Sequence, residues 1–185
     1  NILLQYKGIH LVFLKPSRKY DLKISTYDSG INSIGISVGA ILCTVKYLSE
    51  ELSERRKTID VDNAHSLSIT PDCINDTRVT LEIELPSFYD KNVAANDKVI
   101  FEDRDIYLKR VFFGSPHVII FCEELQSFPL AQLDRYLRVN GAISRETNIV
   151  AAHILDPAKM EIRIHHFGLG ELTASGNAAV AAAMA

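Results

Sequence analysis

Twice along this chain, strand-like residues run into a glycine-containing turn, pass through a serine and continue as an apolar helix. The first instance is Asp28–Leu48 and the second Gly168–Ala185. A repeat this long is not a short-period array; it predicts two similar units, each built of strands around one central helix. A chain of 185 residues is long enough for two such units. The natural division is 1–110 for the first and 111–185 for the second. Asn1 stands where an initiating Met would, and Ala185 falls inside a helical pattern, so the chain reads as part of a longer protein.

Periodicity supplies the elements. Ile2–Tyr6 and Ile9–Leu14 are apolar runs split by Lys7-Gly8, a hairpin pattern, and Leu22–Tyr27 alternates before the turn at Asp28-Ser29-Gly30. From Ser37 the period changes. Ile41, Leu42, Val45 and Leu48 share one helical face, and the helix is expected to run on through the charged Glu50–Arg56. Strands are predicted at Thr58–Val61, Ser66–Ile69, Val79–Leu85, Ile106–Phe113, Val118–Cys122, Asn148–Leu155 and Met160–His165. A helix is predicted over Pro129–Arg138, and a second from Ser175 onward. The latter is apolar all round, so it is expected to be buried on every side.

Bulk properties exclude several classes. At 47% hydrophobic and 23% charged the chain has an ordinary globular composition. A net charge of −3 gives no basic footprint for nucleic acid. The apolar tract Ala178–Ala185 is too short to cross a bilayer, and no secretory signal pattern opens the chain. Cys43, Cys73 and Cys122 are scattered without a CxxC spacing, which fits a reducing, cytoplasmic setting and argues against a zinc site. Two helix N-termini directed at one cleft would suit a small carboxylate, because each offers unpaired N–H groups and partial positive charge.

Four motifs carry a family resemblance. They are Gly114-Ser115-Pro116-His117 at a strand entry, Arg145-Glu146-Thr147-Asn148 at a turn, Gly168-Leu169-Gly170-Glu171-Leu172-Thr173-Ala174-Ser175-Gly176, and Ile36-Ser37-Val38-Gly39-Ala40-Ile41-Leu42-Cys43. In order and spacing they resemble the diaminopimelate epimerase family. That resemblance implies two pseudo-symmetric α/β (α+β) domains, each a mostly antiparallel sheet wrapped around a central helix. It implies a cofactor-independent 1,1-proton transfer at an amino-acid α-carbon, an isomerase of lysine biosynthesis, and a homodimer. It also implies that Ser37 and Ser175 take the two positions where the family has reacting cysteines. Asp28, Val38, Gly39, Ser115, Asn148, His166, Phe167, Gly176 and Asn177 fall at or near substrate-binding positions, with His117 and Glu171 in supporting ones. No metal ion is implied.

The departures matter chemically. A serine hydroxyl becomes a base or nucleophile only beside an activating group, and neither serine has one nearby in sequence. Phe167 stands where the family has an Arg for a distal carboxylate, and an apolar ring cannot form that charge-assisted pair. Asp28 would repel an anion. Val38 and Ala40 replace glycines. Activity is therefore expected to be impaired or altered, or absent in a paralogue that binds a small acid or acts by subunit association. A third reading makes Glu171 or Asp28 a carboxylate base with a pKa raised by burial. Plainer explanations stand beside these. Ser37 and Ser175 are well placed as helix N-caps, His117 as a hydrogen-bonded structural residue, and His165-His166 on a strand point to opposite faces, against a shared metal with His153.

Overall fold

The computed structural model describes residues 10–18, 22–27, 34, 36–52, 59–61, 69–75, 78–83 and 97–185. Two compact units divide the chain, Asn1–Phe88 and Tyr89–Ala185. The division drawn from the sequence after residue 110 falls inside a strand that belongs to the second unit, Arg104–Phe113.

In the first unit, β1 (Leu11–Lys15) and β2 (Leu22–Tyr27) are antiparallel, and α1 (Val38–Leu52) follows. Then come β3 (Ile59–Val61), β4 (Ile69–Asn75) and β5 (Arg78–Ile83). The sheet order is β1-β2-β3-β4-β5, antiparallel except for the parallel pair β2 and β3. That parallel pair requires a crossover, which contains α1. Ile41, Val45 and Leu48 are buried on one face of α1, as their helical spacing predicts, and the helix packs against β4 and β5. The expected strand Ile2–Tyr6, the turn at Asp28-Ser29-Gly30, the helix extension beyond Leu52 and the start of the Ser66–Ile69 strand lie outside the described residues.

The second unit contains β6 (Asp97–Phe101), β7 (Arg104–Phe113), β8 (Ser115–Phe121), α2 (Leu130–Val139), β9 (Asn148–Asp156), β10 (Lys159–His166), β11 (Gly170–Leu172) and α3 (Gly176–Met184). Its sheet runs β11-β10-β9-β8-β7-β6, with β8 and β9 parallel and α2 in the crossover between them. The hairpin of β6 and β7 turns through Glu102 and Asp103, at φ 50° and 59°. Left-handed backbone at both central residues matches the twist of the flanking strands.

Alternation sorts the side chains of this sheet onto two faces. Val118, Ile120, Ile149 and Ala151 form one cluster with Leu130, Leu133 and Leu137 of α2. Those three leucines are fully buried, each contributing about 1.5–3 kcal/mol of apolar transfer. His117, Ile119, Asn148 and Val150 therefore point to the other face, on the side of α3, which packs on β7 to β10. α3 does not bury every side. Ala178, Ala181 and Ala182 are buried whereas Ala179 and Ala183 are exposed, because the sheet covers one flank of the helix only. Among the described residues no helix is long and apolar enough to cross a membrane.

Candidate functional site

In the second unit, the register gathers the motifs at one end of the sheet. His117 on β8 lies opposite Asn148 on β9, Ser115 lies opposite Phe113 at the end of β7, and His165 on β10 lies opposite Ile149. This is where β8 and β9 begin and β7 and β10 end. Asn148 bridges the strands. Its Nδ2 donates to Ser115 Oγ at 3.0 Å, and its Oδ1 accepts the Phe167 N–H at 3.3 Å. Asn148 is 3% exposed, so both halves of its amide are used where an unpaired polar atom would be costly. Asn177 Nδ2 donates to the Phe113 carbonyl at 3.4 Å, tying the first turn of α3 to the same end.

Ser175 caps α3. Its backbone is extended, at φ −155° and ψ 115°, and its Oγ accepts the Ala178 N–H at 3.2 Å. Gly176 is the first helical residue. His117 is buried, and its Nδ1 donates to the Ser115 carbonyl at 2.8 Å. A carbonyl only accepts, so the neutral imidazole carries its proton on Nδ1 and leaves Nε2 as an acceptor. Burial pushes the His117 pKa down from 6.5; the bond to Ser115 opposes this, and the nearby His166 adds to it.

His166 stacks on Phe167, with ring centroids 4.5 Å apart, and its Nδ1 accepts the Gly168 N–H at 3.1 Å. Phe167 is 45% exposed. Glu171 is held elsewhere. Arg163 grips its two carboxylate oxygens at 2.6 and 3.0 Å, and this guanidinium keeps the carboxyl below its usual range. Glu171 pairs in register with His165, on the α2 face of the sheet and not the Asn148 face. A carboxylate base needs a raised pKa, and the shift here has the opposite sign. His153, His165 and His166 also diverge: His153 bonds the Cys122 carbonyl, while His165 lies 3.5 Å from Asp134. Among the described residues no three His, Cys, Asp or Glu side chains gather as a metal would require.

In the first unit Ser37 caps α1 in the same manner. The Ala40 N–H donates to its Oγ at 3.3 Å, and the Ile41 N–H to its carbonyl at 3.0 Å. Ser37, Val38 and Ala40 are buried, whereas Gly39 is exposed with open space where a Cβ would project. Asp28 lies outside the described residues. One partner had no signal in the sequence: His10 Nδ1 stands 3.4 Å from Ser37 Oγ, across 27 positions of chain.

A second group missed by sequence reading holds Asn148 from behind. Arg138 on α2 forms a bidentate pair with Asp134 and donates to the carbonyls of Ser144, Arg145 and Thr147 at 2.9, 2.9 and 2.7 Å. These are the residues of the turn that delivers Asn148 to the start of β9. An Arg four positions after an Asp reads in sequence as an ordinary helix surface pair.

Mixed sheets with a serine-capped helix in each unit place the chain in the α+β class. A phenazine biosynthesis protein of the PhzF family from Bacillus anthracis matches it with a TM-score of 0.56 and 15% identity, over 93% of this chain and 63% of that one. In sequence the chain is similar to the diaminopimelate epimerases of Brachyspira hyodysenteriae, 23% identical over 186 residues, and Carboxydothermus hydrogenoformans, 25% over 182. Each alignment takes in 95% of this chain but 67% and 66% of those relatives, so the chain spans about two thirds of their length. No protein-family model matches it.

Proposed function

We propose that this chain is diaminopimelate epimerase-like: it binds an amino acid through its α-carboxylate and moves the α-proton without a cofactor, slowly, because hydroxyls stand in the roles of thiols. The observation that carries this reading is the convergence in the second unit. A capped helix N-terminus, the Ser115–Asn148–Phe167 bonds and Asn177 all meet at one end of the sheet. Backbone N–H groups at a helix start suit a carboxylate. Serine in the place of a thiol lowers proton-transfer capacity, since a hydroxyl is a far weaker acid.

A second reading, a paralogue that binds but does not react, is favoured by Phe167. Its half-exposed ring offers no partner to a distal carboxylate. One experiment separates the two. The protein is incubated with LL- or meso-diaminopimelate, and separately with L-alanine, in deuterated water, and loss of the α-proton signal is followed by NMR. Enzyme-dependent exchange supports the epimerase reading. Saturable binding without exchange supports the paralogue, and neither binding nor exchange removes both.

A further inference from the structure

We propose that His10 and Ser37 form an activated hydroxyl at the N-terminus of α1, in which the imidazole takes the hydroxyl proton. The fold explains how they meet. β1 and β2 are antiparallel, with Leu11 opposite Tyr27, so β1 begins where β2 ends. The Ile34 N–H bonds back to the Thr26 carbonyl at 3.0 Å, which returns the chain to that same end just before the helix. Ser37, as the N-cap, then stands beside the residue preceding β1, and its Oγ lies 3.4 Å from His10 Nδ1.

The hydrogen-bond inventory leaves the hydroxyl able to donate within the pair. A serine hydroxyl has one proton and two lone pairs. The Ala40 N–H occupies one lone pair at 3.3 Å. The proton remains for His10, whose Nδ1 accepts it when the ring hydrogen is on Nε2. A separation of 3.4 Å is long for a completed O–H···N bond, which is common in catalytic pairs before substrate closes on them. The surroundings favour the transfer. Ser37 is buried at the positive end of α1, where a developing oxyanion is stabilised by the bonded N–H and the helix dipole. His10 is exposed, so its proton can exchange with solvent. Ser175 lacks this device: among the described residues its Oγ bonds the Ala178 N–H and no imidazole. The two capping serines are therefore unequal: Ser37 has an imidazole beside its hydroxyl, and among the described residues Ser175 has none. His10 acts through Ser37, as a positioning residue.

In α-proton transfer, a role that rests on the epimerase-like reading above, Ser37 Oγ takes the α-proton while its own proton passes to His10 Nδ1. The Cα–H electron pair stays on the substrate. Activation itself can be read without that chemistry. Diisopropyl fluorophosphate labels an activated serine: the Oγ–P bond forms, the P–F bond breaks, fluoride leaves and the hydroxyl proton goes to His10. The full chain is treated with this reagent and the rates at Ser37 and Ser175 are read by peptide mass spectrometry.

Ser37 is expected to label about a hundredfold faster than Ser175, with His10→Gln removing that advantage and leaving the Ser175 rate unchanged. Free imidazole is expected to restore labelling in His10→Ala, which a purely structural contact would not permit. Equal rates at the two serines, or a Ser37 rate insensitive to His10→Gln in a variant with wild-type circular dichroism, overturns the pair. Labelling that depends on His10 without α-proton exchange supports the pair and overturns the epimerase reading. Exchange with His10-independent labelling overturns the pair alone.

Discussion

Replacing Arg138 with Ala should be among the most damaging single changes in the second unit, although the residue sits on a helix flank. The guanidinium makes three donations to backbone carbonyls of the 144–147 turn and a bidentate pair with Asp134. The side chains are 22% and 10% exposed, so Asp134 would be left as an uncompensated, nearly buried carboxylate. Breaking a buried pair from one side costs about 3–5 kcal/mol. The three carbonyls would also lose their donors. At about 2–4 °C per kcal/mol for a chain of this size, the unfolding midpoint should fall by roughly 6–20 °C. The double change Asp134→Leu with Arg138→Met should cost less than Arg138→Ala, because it strands no charge. Urea unfolding followed by circular dichroism gives the comparison. A loss under about 1 kcal/mol for Arg138→Ala, the range of an exposed pair, would refute the clamp.

Ser175→Ala should cost about 1 kcal/mol through the lost cap, and Ser175→Asp should recover most of it, as thermal unfolding would show. For His117 the native pKa is depressed by burial, so below about pH 6.5 the unfolded chain binds more protons than the native one. Stability should therefore fall on acidification from about pH 6.5 down to the native pKa, and be level above about pH 6.5 as far as His117 is concerned; His117→Gln should flatten that dependence in urea midpoints taken at several pH values. Phe167→Arg should tighten binding of meso-diaminopimelate about tenfold or more, and leave L-alanine unaffected, in calorimetric titrations.

Periodicity made much of the second unit legible before any coordinates. Leu130, Leu133 and Leu137 marked the buried face of α2, and the runs at Val118 and Asn148 marked the two parallel strands. β6 escaped notice because Lys98 and Ile100 are exposed and its turn uses Glu102-Asp103, without glycine, in left-handed backbone. β11 was hidden inside a motif read for chemistry. Both helix caps followed from a serine standing just before an apolar helix. What sequence could not supply were the long-range pairings. Glu171 is spent on Arg163 across a hairpin, and Arg138 reaches back to a turn that it does not belong to. His10 meets Ser37 only because two antiparallel strands bring distant residues to one end. Such contacts depend on register, and no local spacing encodes them.

Carboxylate recognition by the α3 N-terminus, at the end of the sheet that Asn148 braces, can be tested by amide NMR, titrating L-alanine and meso-diaminopimelate into the isotope-labelled chain. The N–H signals of Gly176, Asn177 and Phe167 should shift saturably and together, with matching dissociation constants. Unmoved signals at these three positions, or shifts confined to residues elsewhere, would contradict an amino-acid site there.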